Sequence, residues 1–214
     1  MTEPVFSSEA PELLNTHFDH LHRGSGISVD VMRERGYVSI LGEKKLKELG
    51  FSPVQRRIPG ILLPSWGVNG TLVGHQYRPD RPRLDGRDRP VKYENVPGSS
   101  LHLDIPPRCR TMLCDPATPL FITEGLKKGD ALASHGACAV VLPGVWGFKG
   151  KNAFGGVTLL AEWDYVALKD RDVFIVFDSD VATKPQVRQA MERLAQHLRM
   201  KKAKVYIIPL PEEQ

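Results

Sequence analysis

The sequence is poor in cysteine and has no long hydrophobic run. Its 214 residues include only three cysteines, Cys109, Cys114 and Cys138, and no Cys-x-x-Cys pair. This argues against a disulfide framework and a four-cysteine zinc site, so we interpret them as buried or partly buried thiols in a reducing compartment. No apolar stretch approaches the roughly 20 residues of a membrane helix, and the first residues lack the regions of a signal peptide. We therefore expect a cytoplasmic protein with no membrane partner.

Charge of neither sign is in large excess. The net charge of +4 permits a nucleic-acid partner without requiring one. Basic residues gather between Arg56 and Lys92, where PDRPRLDGRDRP predicts an exposed loop. No zinc-protease, nucleophile-elbow or phosphate-loop motif occurs. Three histidines are interpreted as helix-surface residues and a fourth as a candidate site residue: His17, His20 and His22, then His75.

The first half of the chain predicts a small helical and β-hairpin subdomain, residues 1–112. One short helix begins after Ser28, a good N-cap, and ends at Gly36; a second, EKKLKEL, ends at Gly50. The segments GILLPSW and TLVGHQYR flank Asn69-Gly70, a pair that favours a tight hairpin turn.

Residues 113–214 alternate strand and helix, which predicts an α/β domain with a parallel sheet flanked by helices. Strands are predicted in PLFITEG, ACAVVLPG, DVFIVFDSD and KVYIIPL. Helices are predicted in LKKGDALASHG, VTLLAEWDYV and PQVRQAMERLAQHLRM, with GFKGKNAFGG as a glycine-rich loop.

Two of these predicted strands end in acidic residues. Glu124 closes one strand, and Asp178 and Asp180 close another. Ligands bind beyond the carboxyl ends of parallel strands, and residues two apart in extended chain point the same way, so the three carboxylates could converge. A divalent cation such as Mg²⁺ or Mn²⁺ would remove their mutual repulsion. Lys127 and Lys128, in the first turn of the following helix, make better sense if an anion binds there.

These segments resemble a known family. ITEGLKKGDAL and FIVFDSDVATKPQVRQA are similar to the Toprim domain of bacterial-type primases, topoisomerases and some nucleases. The resemblance implies that Glu124, Asp178 and Asp180 hold Mg²⁺ or Mn²⁺ at the phosphate chemistry. Asp130 matches the acid that follows Glu-Gly in primases. DSDVAT is closer to the primase pattern Asp-Gly-Asp-x-Ala-Gly than to that of topoisomerases, because Ala182 stands where topoisomerases carry a third acid.

The upstream half resembles the N-terminal part of a bacterial primase catalytic core, in SGISVDVMRERGY, IPGILLPSWGVNGTLVGHQYRPD and RPVKYENVPGSS. The resemblance implies four residues that face template or nucleotide: Arg78, Lys92, Tyr93 and Asn95. Lys128, with Lys149 or Lys151, would neutralise a triphosphate. The similarity is greatest to primase-like domains of plasmid, phage and integrated-element replication proteins, which are often joined to a helicase. The zinc-ribbon cysteines of many primases do not precede this core.

Three functions are compatible with the sequence. The first is a primase-like domain that makes short primers on single-stranded DNA from nucleoside triphosphates, with a replicative helicase as a further partner. The second is a metal-dependent nuclease that uses the same acids with water as the nucleophile. The third is a non-catalytic module that binds single-stranded nucleic acid and feeds a helicase.

Overall fold

A computed structural model describes residues 12–151, 154–177 and 184–208. The chain divides into two compact units, residues 1–65 with 72–100 and residues 66–71 with 101–214. Among the described residues, no helix is both long enough and apolar enough to cross a lipid bilayer.

Three short helices and a four-stranded sheet build the first unit. The helices are α1 (Asn15–Ser25), α2 (Val29–Arg35) and α3 (Glu43–Glu48), and the strands, in sheet order, are β1 (Val38–Ile40), β2 (Gly60–Trp66), β3 (Leu72–Pro79) and β4 (Glu94–Asn95). The Ser28 hydroxyl accepts a hydrogen bond from the Val31 amide at the start of α2. Gly36 ends that helix with a φ of 80°, so both predicted boundaries are confirmed.

The predicted hairpin joins β2 to β3. The Gly67 amide donates to the Thr71 carbonyl at 2.9 Å, and Gly70 adopts a φ of 78°. The inner face of the sheet covers an apolar cluster under α3, made of Ile40, Leu46, Phe51, Leu62 and Tyr77.

A parallel sheet forms the centre of the second unit. Its strands, in sheet order, are β10 (Lys204–Ile207), β9 (Asp172–Ile175), β5 (Leu120–Glu124) and β6 (Cys138–Leu142). Helix α4 (Leu126–Ser134) connects β5 to β6, and α5 (Pro185–Met200) connects β9 to β10. These connections run outward in opposite directions, so right-handed crossovers put the two helices on opposite faces of the sheet. The predicted α/β class and parallel sheet are confirmed.

One predicted helix and one predicted loop are wrong. VTLLAEWDYV contains strand β8 (Val157–Leu159) and then a single 3-10 turn, Ala161–Tyr165. The glycine-rich loop contains β7 (Lys149–Lys151), which pairs antiparallel with β8. Strands of three residues are stabilised by pairing with a partner strand, and the local apolar spacing does not carry that information.

Candidate metal centre and nucleic-acid surface

Glu124 is the last residue of β5, in the middle of the parallel sheet. The next residue, Gly125, has a φ of 80°, which residues with a side chain rarely adopt, and α4 begins directly after it. Glu124 is partly buried. The strand, the glycine and the helix together place this carboxylate at the sheet edge where α/β proteins bind ligands.

The neighbouring strand β9 runs parallel to β5 and ends opposite Ile122, two residues before Glu124. Ile122 pairs with Ile175, and the Val176 amide donates to the Ile122 carbonyl at 2.8 Å, which continues the pairing one residue further. Phe177 is buried and is the last described residue of this segment. Asp178 and Asp180 come next in the sequence and lie outside the described residues. Within the described ranges, no group of three or more His, Cys, Asp or Glu side chains could hold a metal ion.

The first turn of α4 carries two of the predicted phosphate-binding residues. Lys127 and Lys128 are both partly buried. Asp130 follows within the helix and is fully buried. Gly129 lies against the sheet so closely that a Cβ there would overlap the Val141 side chain of β6. Helix α4 therefore packs against β6 through Gly129, and this close contact sets the position of the backbone that carries Lys127 and Lys128.

Two further predicted phosphate ligands lie on the β7–β8 hairpin. The Lys149 ammonium nitrogen is 4.2 Å from the centroid of the Trp146 ring. Lys151, at the other end of β7, is exposed. Since β7 belongs to the second unit, both lysines share that unit with Glu124.

The predicted template residues lie together on the sheet of the first unit. Gln76 pairs with Asn95 and Tyr77 with Glu94, so the same antiparallel register sets Arg78 opposite Tyr93. Gln76 donates to the Asn95 side-chain oxygen at 3.3 Å. Burial raises the pKa of Tyr93, and the nearby positive charge of Arg78 and a hydrogen bond with it oppose that rise. Alternation along the strands puts these side chains on the face opposite buried Tyr77, and Lys92, just before them, is exposed.

A buried ion pair lies beneath this face. Glu94 is only 2% exposed and points into the unit. The Arg83 guanidinium donates to it at 2.6 and 3.2 Å, and the Gln55 amide donates at 3.0 Å. Arg83 comes from the predicted exposed loop, so this arginine anchors the loop under the face that carries Tyr93. No sequence signal predicts this pair, because Glu94 is an isolated acid inside the Lys-Tyr-x-Asn pattern.

Two of the histidines discussed above, His17 and His75, lie in different environments. His17 was expected on a helix surface, and this is wrong, because it is 3% exposed. Its Nδ1 lies 2.7 Å from the Ser39 hydroxyl and its Nε2 lies 3.0 Å from Asp80, so it connects α1 to the sheet. His75 is half-buried on β3, where burial first and the nearby Lys45 charge second lower its pKa.

The second unit buries an arginine and an acid that sequence reasoning missed. Arg171 is fully buried and donates to four backbone carbonyls at 2.7 to 3.1 Å: Thr118, Leu113, Ala167 and Met112. Asp104 is 3% exposed, pairs through its backbone with Val141 of β6, and accepts the Trp66 amide at 2.9 Å. No local pattern distinguishes either residue from the surface charges around it.

Comparison with known proteins identifies the fold. The structure superposes on Aquifex aeolicus primase, in its zinc-binding and RNA polymerase domains, with a TM-score of 0.60 and 17% identity over 94% of this chain and 51% of that chain. It also superposes on a DnaG primase catalytic domain bound to single-stranded DNA, with a TM-score of 0.59 and 16% identity over 93% of this chain and 65% of that chain.

The fold is that of a bacterial primase catalytic core. A family model described as a domain of unknown function (DUF3854) matches residues 110–214. An uncharacterized protein of Picosynechococcus sp. is 26% identical over 243 residues, which cover 89% of this chain and 24% of that protein. The chain thus spans about half to two thirds of the solved primase chains and about a quarter of this relative. The primase-core fold was predicted from the sequence and is confirmed.

Proposed function

We propose that this chain is a primase-like domain that synthesises short primers on single-stranded DNA by metal-dependent nucleotidyl transfer. The observation that carries the proposal is the position of Glu124. It closes β5 at the carboxyl edge of a primase-core sheet, directly beside β9, whose sequence continues into Asp178-Ser179-Asp180. Glu124 thus lies next to the strand whose following residues in the sequence include Asp178 and Asp180.

Oxygen ligands of this kind fit Mg²⁺ or Mn²⁺, and we propose Glu124, Asp178 and Asp180 as the ligands. The bound ions would polarise the triphosphate and favour the alkoxide form of the attacking hydroxyl. In the reaction, the 3′-oxygen of one nucleotide forms a bond to the α-phosphorus of the next. The bond to the β-phosphate breaks, pyrophosphate leaves with its electron pair, and the hydroxyl proton passes to solvent. Lys127, Lys128, Lys149 and Lys151 would pair with the triphosphate.

The first unit would hold the template strand. Arg78 and Lys92 would contact phosphates, and Tyr93 would offer a ring on which a base can stack. Asn95 lies on the same face and can donate to a base or a sugar. The single-stranded DNA in the DnaG complex is the partner we propose for this face. A replicative helicase, on the same chain or separate, is proposed as a further partner.

Primer synthesis tests this proposal. The 214-residue chain is incubated with single-stranded DNA, labelled nucleotides and Mg²⁺ or Mn²⁺, beside Asp178→Ala, Asp180→Ala and the exposed control Glu192→Gln. We expect short products from wild type and the control and none from the two aspartate variants. Incorporation that survives both aspartate substitutions would refute the proposed site.

The nuclease alternative is distinguished by incubating supercoiled and single-stranded DNA with Mn²⁺ and no nucleotides. A primase leaves both substrates intact, whereas a nuclease nicks or degrades them. If DNA affinity is unchanged by EDTA and by Asp178→Ala, and no primers are made, the non-catalytic binding module is favoured.

A further inference from the structure

The loop that leaves β6 carries a tryptophan close to the proposed reaction site. β6 ends at Leu142, whose Cα partner on the next strand is Glu124. The chain then runs Pro143-Gly144-Val145-Trp146-Gly147-Phe148 before entering β7. Trp146 therefore belongs to a loop at the carboxyl edge of the sheet, where parallel α/β sheets bind their ligands.

Packing on one side holds this loop in place. Phe148 is fully buried, and its carbonyl accepts hydrogen bonds from the Trp163 indole at 3.1 Å and the Leu160 amide at 3.2 Å. The Gly147 amide donates to the Gly144 carbonyl at 2.8 Å. A Cβ on Gly147 would lie 2.6 Å from the Pro143 ring, so any side chain there would distort the turn. The Gly144–Gly147 hydrogen bond and the buried Phe148 side chain therefore hold the backbone of Trp146 in place.

The Trp146 side chain itself is only partly buried, in contrast to Trp163, which is 2% exposed. The Lys149 ammonium lies 4.2 Å from the centroid of the Trp146 ring and 5.7 Å from that of Phe148. Attraction between an ammonium and an aromatic ring restrains a lysine that would otherwise move freely in solvent. An accessible aromatic surface and a localised positive charge therefore lie together on the edge that carries Glu124.

We infer that Trp146 and Lys149 bind the incoming nucleoside triphosphate, with the indole stacking on the base and the ammonium pairing with a phosphate. The inference rests on the proposed function, since it takes the carboxyl edge to be the reaction site. Every base has an aromatic face, so this platform accepts all four nucleotides without reading their sequence. A phosphate is a full anion, so the Lys149 ammonium gains by exchanging its ring contact for a charge-assisted hydrogen bond.

Binding of ATP in Mg²⁺ to the full chain tests the inference, by equilibrium dialysis and by quenching of tryptophan fluorescence. We expect Trp146→Ala to weaken ATP binding about 5- to 150-fold, the range of one base–aromatic stack. Trp146→Phe restores a stacking ring, so its affinity stays near that of wild type while its fluorescence quenching disappears. Lys149→Met weakens ATP binding, and the exposed control Tyr165→Ala does not. Circular dichroism confirms that each variant folds.

Any of three results would overturn the inference. Wild type does not bind ATP, Trp146→Ala binds ATP as tightly as wild type, or ATP still quenches the tryptophan fluorescence of Trp146→Phe. A loss of single-stranded DNA affinity in place of ATP affinity would assign the platform to the DNA strand and also overturn it. Primer synthesis that needs Asp178 but keeps a normal nucleotide KM in Trp146→Ala would refute this inference alone. ATP binding that depends on Trp146, in a chain that makes no primers, would refute the proposed function alone.

Discussion

The two units distribute charge in opposite ways. The sheet of the first unit presents basic and aromatic side chains, Arg78 and Tyr93, on its outer face and buries a carboxylate, Glu94, beneath it. The sheet of the second unit carries the carboxylate of Glu124 at its edge and buries a guanidinium, Arg171. The partly buried charges of Arg78 and Glu124 suit the ligands that we propose for each unit, a DNA strand and a metal-bound triphosphate. The more deeply buried charges of opposite sign hold the loops.

The two buried charges are also satisfied differently. Glu94 is paired with a side chain, Arg83, that keeps about a third of its surface in solvent. Arg171 is held by backbone carbonyls and lies 3.5 Å from the Cys138 sulfur. If Arg171 is removed, the backbone carbonyls that it held cannot rotate toward water. If Glu94 is removed, the Arg83 side chain can, so the two sites should respond differently to substitution.

The largest effect on stability is expected at Arg171. Arg171→Met removes the donor for four backbone carbonyls and should lower the free energy of unfolding by about 3 kcal/mol. For a chain of this size, that corresponds to a melting temperature roughly 6–12 °C lower. Thermal unfolding followed by circular dichroism measures it, with the exposed Arg193→Met as the control. A shift equal to that of the control would show that Arg171 does not hold these loops.

On the outer face of the first unit, Arg78→Ala and Tyr93→Ala should weaken single-stranded DNA binding by different mechanisms. Loss of one phosphate contact should reduce the slope of log affinity against log salt by about 0.7. Loss of one stacking ring should cost about 1–3 kcal/mol and leave that slope unchanged. Fluorescence anisotropy at several salt concentrations separates the two. Equal slopes for wild type and Arg78→Ala would contradict the proposed phosphate contact.

At the buried ion pair between Arg83 and Glu94, the stability losses of two substitutions can be compared. Arg83→Met leaves the Glu94 carboxylate buried without its ion-pair partner, whereas Glu94→Gln leaves an arginine that water can reach. Arg83→Met should therefore lower the free energy of unfolding more than Glu94→Gln does. Adding Glu94→Gln to Arg83→Met should therefore restore part of the lost stability. Urea unfolding of the single and double variants checks this, and strictly additive losses would mean that the pair does not interact.

The smallest effect concerns Asp85 in the basic loop. Hydrogen bonds from Arg89 and from loop amides lower its pKa from 3.8 to about 2. Between these values the unfolded chain binds more protons, so this contribution to stability is present above pH 4 and is lost as the pH falls toward 2. The urea midpoints of wild type and Asp85→Asn should thus differ above pH 4 and converge near pH 2. A difference that is constant with pH would contradict the assigned cause.

Much of this architecture could be predicted because its signals are local. The apolar spacing of PQVRQAMERLAQHLRM predicts α5, which runs from Pro185 to Met200. Ser28 and Gly36 predict the ends of α2 through hydrogen bonding and backbone conformation within one turn. The order of strands and helices after residue 118 predicts a parallel sheet. The position of Glu124 after an apolar run predicts that it closes a strand, as it does in β5.

The remaining features depend on contacts that the local sequence pattern does not show. The strand Val157–Leu159 exists because Lys149–Lys151 pairs with it, and its sequence alone favoured a helix. His17 and Arg171 look like surface charges until the partners that bury them, such as Asp80 and the Thr118 carbonyl, are brought close by the fold. The roles of Asp178 and Asp180 stay predictions, since both lie outside the described residues.

The most direct test of the account compares two properties of Glu124→Gln: primer synthesis and the affinity for single-stranded DNA. Removing a proposed metal ligand should lower the rate of primer synthesis about a hundredfold or more, because the transition state loses the stabilisation that the metal would supply. DNA affinity should stay within about twofold of wild type, because the proposed strand-binding residues belong to the first unit. Synthesis at the wild-type rate, or an equal loss of DNA binding, would contradict the assignment of the chemistry to this edge of the sheet.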